Sequence, residues 1–129
     1  MAWKHYKRNP DGTVEETTDL AEANQNRRVA RDVIRRENLE ILISTVFLGL
    51  DHSHVNTGPP ILWETMIFGF NDNDDIQWRY SSEDSAREGH RTAIELANMM
   101  LDQIRDERLR KEERARAKEK RNCVRLPGL

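Results

Sequence analysis

The ten residues from Ile41 to Leu50 carry no charged side chain, although 34% of the 129 residues of the chain are charged. A stretch this apolar is buried in a folded protein, and it is far shorter than the roughly 18 apolar residues that a membrane span requires. Because it contrasts so strongly with the polar remainder of the chain, we predict that it forms the central strand of the domain.

Two further strands are predicted after the central one. Ile61 to Phe70 is again almost entirely apolar, with Glu64 as its single charged residue. Ile76 to Tyr80 alternates, which places Trp78 and Arg79 on opposite faces. Because the first two strands are apolar on both faces, we expect a sheet that is covered on both sides.

The segment from Arg27 to Arg36, RRVARDVIRR, allows two interpretations. Its apolar residues fit one face of a helix. Its β-branched content and the turn-like Glu37-Asn38 fit a strand that forms a hairpin with the central strand, and we favour this hairpin. The arginines of such a strand would lie near a sheet rim or beside an anionic ligand.

The N-terminal segment predicts a short hairpin around Asn9-Pro10-Asp11-Gly12, because proline presets φ and glycine tolerates a positive φ. A short helix over Leu20 to Asn26 is expected to follow, capped by Thr18 or Asp19. In this helix we predict that Leu20 and the alanines at 21 and 23 face inward.

A long C-terminal helix is predicted to begin after Ser81 and Ser82, and its apolar positions recur at spacings of three and four residues. The predicted stripe consists of Ala86, His90, Ala93, Ile94, Ala97, Met100, Leu101 and Ile104. From 105 to 121 the chain has nine basic and five acidic residues, which predicts a helix that projects into solvent. From Asn122 to Leu129 we expect fraying.

The predicted fold class is therefore α+β. Residues 1–104 form a single domain, an antiparallel sheet of about four strands with the long amphipathic helix packed on one face. A dimer partner or the N-terminal segment is expected to cover the other face. Residues 105–129 form a charged helical extension and tail.

Composition excludes several classes of protein. The chain has one cysteine, Cys123, so it cannot form an internal disulfide, and it has neither an apolar leader nor a membrane-length apolar run. We expect a soluble, cytoplasmic protein without a membrane partner. The basic helical extension could contact nucleic acid or an acidic face of a partner. Because about half its charges are paired within the helix and no aromatic residues are interspersed, we do not expect nucleic-acid binding.

Three groups of residues were considered for chemistry. Asp51, His52 and His54 resemble the beginning of a metal site that His90 or Glu64 would complete, but they lack a second ligand pair at a recognisable spacing. The hydroxyls at 44 and 45 lie within the apolar strand without an orienting base. Glu64, buried in an apolar strand, requires either an arginine partner or a ligand.

Three sequence blocks carry a family resemblance. These are STVFLGLDH (Ser44 to His52), GPPILWETMIFG (Gly58 to Gly69), and RYSS from Arg79 with the later Ala86 and Gly89-His90. Together they resemble a family of small bacteriophage proteins that is similar to the Thoeris anti-defence sponges. The chain departs from that pattern in the loop after His52 and in its longer charged C-terminus.

The resemblance implies a non-enzymatic protein without a cofactor, acting in the host cytoplasm during infection. Such proteins bind a cyclic ADP-ribose signal, or in some cases cyclic nucleotides, sequester it without cleavage, and assemble as dimers or larger rings. A pyrophosphate-bearing ligand requires arginines and an aromatic platform. The candidate ligand-binding residues are Arg27, Arg28, His52, Trp63, Glu64, Phe70, Trp78 and Arg79.

Two alternative functions remain open from the sequence. One is a structural or regulatory phage protein that acts by protein contact through its helical extension. The other is a metal-dependent hydrolase that uses His52, His54 and Glu64.

Overall fold

The structure is a computed structural model that describes residues 3–53, 58–70 and 76–124. The predictions for His54 and for the tail 125–129 lie outside the described residues. The chain is helical as far as Val124, so the fraying predicted from Asn122 is wrong for residues 122–124. The elements in chain order are β1 (His5–Arg8), β2 (Val14–Thr17), α1 (Leu20–Ala23), β3 (Arg28–Arg36), β4 (Leu39–Phe47), β5 (Trp63–Phe68), β6 (Ile76–Tyr80) and α2 (Glu83–Val124).

The main sheet is antiparallel, with the strand order β3-β4-β5-β6. Glu37 and Asn38 join β3 to β4 with φ values of 52° and 60°, the positive pair that a tight two-residue hairpin turn requires. The hairpin interpretation of the arginine-rich segment is thus confirmed. β4 pairs on both sides, so the prediction of a central strand is also confirmed, although the strand ends at Phe47.

α2 packs across one face of this sheet. The buried residues of the sheet alternate along β4 and β5 and include Ile41, Ile43, Phe47 and Ile67. From the helix they meet mainly alanines, whose small side chains allow the helix to lie close to the strands. The buried helix residues are Ala86, His90, Ala93, Ala97 and Leu101. The predicted α+β class and amphipathic stripe are confirmed.

The β1-β2 hairpin packs at one end of the sheet, on the same side as α2. Tyr6 and Val14 contact the cluster that contains Phe47 and Ala86, and Arg8 forms an ion pair with Glu83 of α2. The N-terminal segment therefore does not cover the opposite face, and that part of our prediction is wrong. The hairpin packs on the α2 side of the sheet because its apolar residues and its arginine both have partners there.

The short helix α1 begins at Leu20 as predicted, but it ends at Ala23 rather than Asn26, and its predicted orientation is wrong. Asp19 caps it, since its carboxylate accepts the N–H of Ala21 at 2.9 Å. Only Ala23 is buried, whereas Leu20 is 56% exposed and Ala21 is also exposed, contrary to the prediction. A helix of four residues makes about one turn, so it presents little more than one side chain to the core.

No described helix or strand covers the sheet face opposite α2. We call this surface the open face. The residues of α2 from Asp106 to Cys123 are all exposed, as the prediction of a projecting helix requires. Among the described residues, no helix combines the length and apolarity needed to cross a membrane.

Candidate functional site

Strand register arranges the side chains of the open face in rows that run across the sheet. One row contains Arg28, Val46, Glu64 and Arg79, one residue from each of the four strands. The complete open face consists of Arg28, Arg31, Val33, Arg35, Glu40, Leu42, Ser44, Val46, Glu64, Met66, Phe68, Gln77 and Arg79. Three predicted site residues, which the sequence could not place relative to one another, thus share a single row.

The charges of this row are not equivalent. Arg79 donates from Nε to Glu64 Oε2 at 2.9 Å, and the Glu64 side chain is only 12% exposed. Arg28 and Arg31 are exposed, and neither forms an ion pair with any residue that the structure describes. The β3 edge therefore presents two guanidinium groups that are available for an anion.

The centre of the open face is apolar. Leu42, Val46, Met66 and Phe68 are half-buried there and come from the two inner strands. Phe68 supplies the aromatic ring, and it was not among the predicted site residues, because the sequence does not show which face of β5 the helix covers. With strands about 4.8 Å apart and about 3.4 Å per residue, Arg31 and Phe68 lie about 12 Å apart along the face.

The three aromatic residues that were predicted as platforms lie away from the open face. Trp63 is buried at 2% exposure, where its ring packs edge-on against Phe47 with centroids 5.5 Å apart. Its indole Nε1 has no hydrogen-bond partner among the described residues. Phe70 packs against the core cluster beneath α2, and Trp78 is on the helix side of β6.

The remaining predicted residues stabilise the exits of strands. Arg27 donates from Nε to the carbonyl of Phe47 at 3.2 Å, and His52 donates from Nδ1 to the carbonyl of Leu50 at 2.7 Å. Partial burial by itself would raise the pKa of Asp51, but backbone N–H groups at 53 and 61 donate to its carboxylate and lower that pKa below its ordinary value.

No three histidine, cysteine, aspartate or glutamate side chains within the described ranges come together as ligands for a metal ion. Of the residues considered for a metal-dependent hydrolase, His52 is bonded to Leu50 and Glu64 is paired with Arg79. No observation on the described residues therefore favours the hydrolase alternative.

A chain of polar side chains crosses the core beneath α2. His90 donates from Nε2 to Asp32 Oδ2 at 2.7 Å, and its Nδ1 forms a hydrogen bond with the Thr45 hydroxyl, also at 2.7 Å. The Thr45 and Thr65 hydroxyls are hydrogen-bonded to each other at 2.6 Å. The acid, imidazole and hydroxyl follow the order of a nucleophilic triad, but both threonines are 0% exposed, so no substrate reaches them. This network of hydrogen-bonded side chains therefore has a structural role.

His90 lies on the buried stripe of α2, as predicted, but its hydrogen bonds to Asp32 and Thr45 were not predicted. A signal was present, because each threonine interrupts a set of alternating residues that is otherwise apolar, and His90 interrupts an otherwise apolar helical face. Buried polar groups require one another as hydrogen-bond partners, so three such interruptions predict a common network.

Fold and site together define a small α+β domain that has one uncovered sheet face, apolar at its centre and bordered by arginines. No family model, curated protein or solved structure matches the chain.

Proposed function

We propose that the chain is a non-catalytic phage anti-defence protein that binds and sequesters a nucleotide-derived immune signal on its open face. The signal is of the cyclic ADP-ribose class or a cyclic oligonucleotide. The observation that carries the proposal is that two exposed guanidinium groups, Arg28 and Arg31, form no ion pair with any described residue and lie beside an apolar surface that contains Phe68. The three sequence blocks support the choice of signal.

The open face supplies each contact that such a ligand needs. The guanidinium groups of Arg28 and Arg31 offer planar donor pairs that match phosphate oxygens. Phe68 and Met66 present apolar surface for a base, and Phe68 lies about 12 Å from Arg31, a distance that suits the length of a nucleotide. Ser44 lies in the same row as Arg31 and Met66, where its hydroxyl can bond to a ribose.

The proposal is tested by titrating the full chain with isomers of cyclic ADP-ribose and with cyclic oligonucleotides, followed by calorimetry. We expect Arg28→Ala and Arg31→Ala each to weaken binding by about tenfold or more, because each removes a charge-assisted hydrogen bond. Arg91→Ala is the matched control, since Arg91 is an exposed arginine of α2 on the other side of the sheet.

Recovery of the bound compound by denaturation and mass measurement distinguishes sequestration from cleavage. An unchanged mass supports sequestration, and release of a hydrolysed product would contradict it. If none of the compounds binds, or if Arg91→Ala weakens binding as much as the open-face variants do, the proposed function is wrong.

A second candidate function is action by protein contact, including assembly into a homo-oligomer, through the helical extension. The observation that favours it is the exposure of α2 from Asp106 to Cys123, a projecting stretch that contributes no side chain to the core. Truncation of the chain after residue 113, with sedimentation as the measurement, tests this function.

A further inference from the structure

β6 is an edge strand of the main sheet, and its outer edge pairs with no strand among the described residues. Between this edge and α2 there is a groove with a volume of about 300 Å³. Its lining residues are Trp78, Tyr80, Ser85, Glu88, Gly89, Thr92 and Ala93. An edge strand beside a groove of this kind is the arrangement in which domains bind an extended peptide as an additional strand.

Two aromatic residues of β6, Trp78 and Tyr80, line the strand side of the groove. The Tyr80 ring lies directly against the backbone of α2 at Gly89, where any side chain would overlap the Tyr80 hydroxyl. Trp78, 37% exposed, forms the apolar wall on the strand side. An added strand would direct alternate side chains toward α2, and those side chains would enter the groove beside Trp78.

The charge of the groove selects among ligands. Among the described residues that line the groove, Glu88 alone is charged, and it is exposed without an ion pair to any residue of the described ranges. A lining that contains a carboxylate and no cation disfavours phosphate-bearing compounds, which distinguishes the groove from the open face. It favours a ligand that combines apolar side chains with a positive charge.

We infer that this groove binds an extended peptide segment of a partner protein, in which apolar residues alternate and a lysine or arginine lies opposite Glu88. Backbone hydrogen bonds to the outer edge of β6 supply the affinity. Side chains in the groove supply the specificity. The five residues of β6 span about 17 Å, so the strand pairs with a segment of about the same length. The proposed nucleotide-binding function does not depend on this site.

The first test is selection from a random library of ten-residue peptides, displayed on yeast, with the full-length chain as bait. We expect enrichment of sequences with alternating apolar residues and a lysine or arginine. Failure to enrich such sequences would overturn the inference. Each enriched peptide is then synthesised with a fluorescent label and measured by anisotropy against the folded variants.

Matched variants locate the binding. Glu88→Lys should weaken binding by about tenfold or more, whereas Glu95→Lys, which makes the same charge change at another exposed position of α2, should not. Trp78→Ala should likewise weaken it, with Trp3→Ala as the control at a second exposed tryptophan. Circular dichroism confirms that each variant is folded.

A third comparison tests the added strand itself. The same peptide with N-methyl groups on alternate backbone amides should bind much more weakly if it pairs with β6. Equal binding of the methylated peptide, or equal effects of Glu88→Lys and Glu95→Lys, would overturn the inference. A dimer of the free chain that Trp78→Ala dissociates would also overturn it, because the occupant would then be a second copy of β6.

Discussion

At the scale of single residues, Thr45 links His90 to Thr65 in the network of hydrogen-bonded side chains beneath α2. Thr45→Val keeps the shape of the side chain but leaves His90 Nδ1 and the Thr65 hydroxyl without partners in the core. We expect the free energy of unfolding in urea to fall by about 1–3 kcal/mol. The control is Thr92→Val at an exposed threonine, with an expected change within about 0.5 kcal/mol. An equal loss of unfolding free energy in both variants would contradict a structural role for this hydrogen-bonded network.

Gly69 provides a second test at the residue scale. Its φ is +112°, and a Cβ there would overlap the carbonyl oxygen of Glu40. Gly58 also has a positive φ, +103°, but a Cβ there meets nothing within 4 Å. Both alanine variants strain the backbone, and only Gly69→Ala adds the overlap. We expect Gly69→Ala to lower the unfolding free energy by about 2 kcal/mol more than Gly58→Ala, measured by denaturation.

Alternation in the sequence reliably places neighbouring side chains on opposite faces of a strand. It does not say which face a helix will cover. Alternation along β5 places Trp63 and Glu64 on opposite faces, as the structure has them. It does not reveal that α2 lies on the Trp63 side, which buries that ring and leaves Phe68 on the open face. That choice depends on the packing of elements distant in sequence, so Phe68 could not be identified from local pattern.

At the scale of elements, the ion pair between Arg8 and Glu83 links the β1-β2 hairpin to α2. The Arg8 guanidinium donates to Glu83 and, with Arg87, lowers the pKa of that carboxyl against the opposing effect of burial. A carboxyl whose pKa is lower in the folded chain than in the unfolded chain stabilises the fold at pH values above its unfolded pKa. This contribution is lost as the pH falls through the lower folded pKa.

We therefore expect Glu83→Gln to reduce the unfolding free energy at neutral pH by about 1 kcal/mol. The difference between this variant and the unchanged chain should shrink as the pH falls below about 4.3, the ordinary pKa of glutamate. Glu88→Gln, at an exposed glutamate that has no described ion pair, is the control. A pH-independent difference for Glu83→Gln would show that the carboxylate charge does not stabilise the hairpin on α2.

Elements whose signals are local were predicted well. The turns at Asn9 to Gly12 and at Glu37-Asn38 were both identified from residues that favour positive φ or a tight turn, and both are present. Strand ends were less accurate: β5 is Trp63–Phe68 rather than Ile61 to Phe70. An apolar stretch extends beyond its strand because apolar residues also line loops that approach the core, while pairing ends where the neighbouring strand ends.

At the scale of the whole molecule, the sequence predicted that both sheet faces require cover, and the described chain covers only one. The half-buried residues of the open face, among them Leu42 and Met66, have no covering element among the described residues. A single sequence specifies its internal contacts by pattern, whereas contacts with another molecule depend on a second sequence as well. The sequence therefore predicts the helix-covered face of the sheet better than the open face.

The helical extension can be separated from the fold by truncation. A chain that ends at residue 113 keeps the ion pairs of Arg108 with Glu37 and Glu112, and it loses only the exposed described part of α2 and the tail. We expect its unfolding free energy to match that of the full chain within about 0.5 kcal/mol, because no removed side chain of the described part contributes to the core.

The same truncation decides whether the extension mediates assembly, which sedimentation measures. If it does, the full chain forms an oligomer, and the truncated chain is a folded monomer. Full-length Cys123→Ser is the control, because an exposed cysteine on the extension can otherwise join two copies by a disulfide. Identical sedimentation of the full and truncated chains would exclude assembly through the extension. A large loss of stability on truncation would instead show that residues 114–129 belong to the folded domain, contrary to the boundary predicted after residue 104.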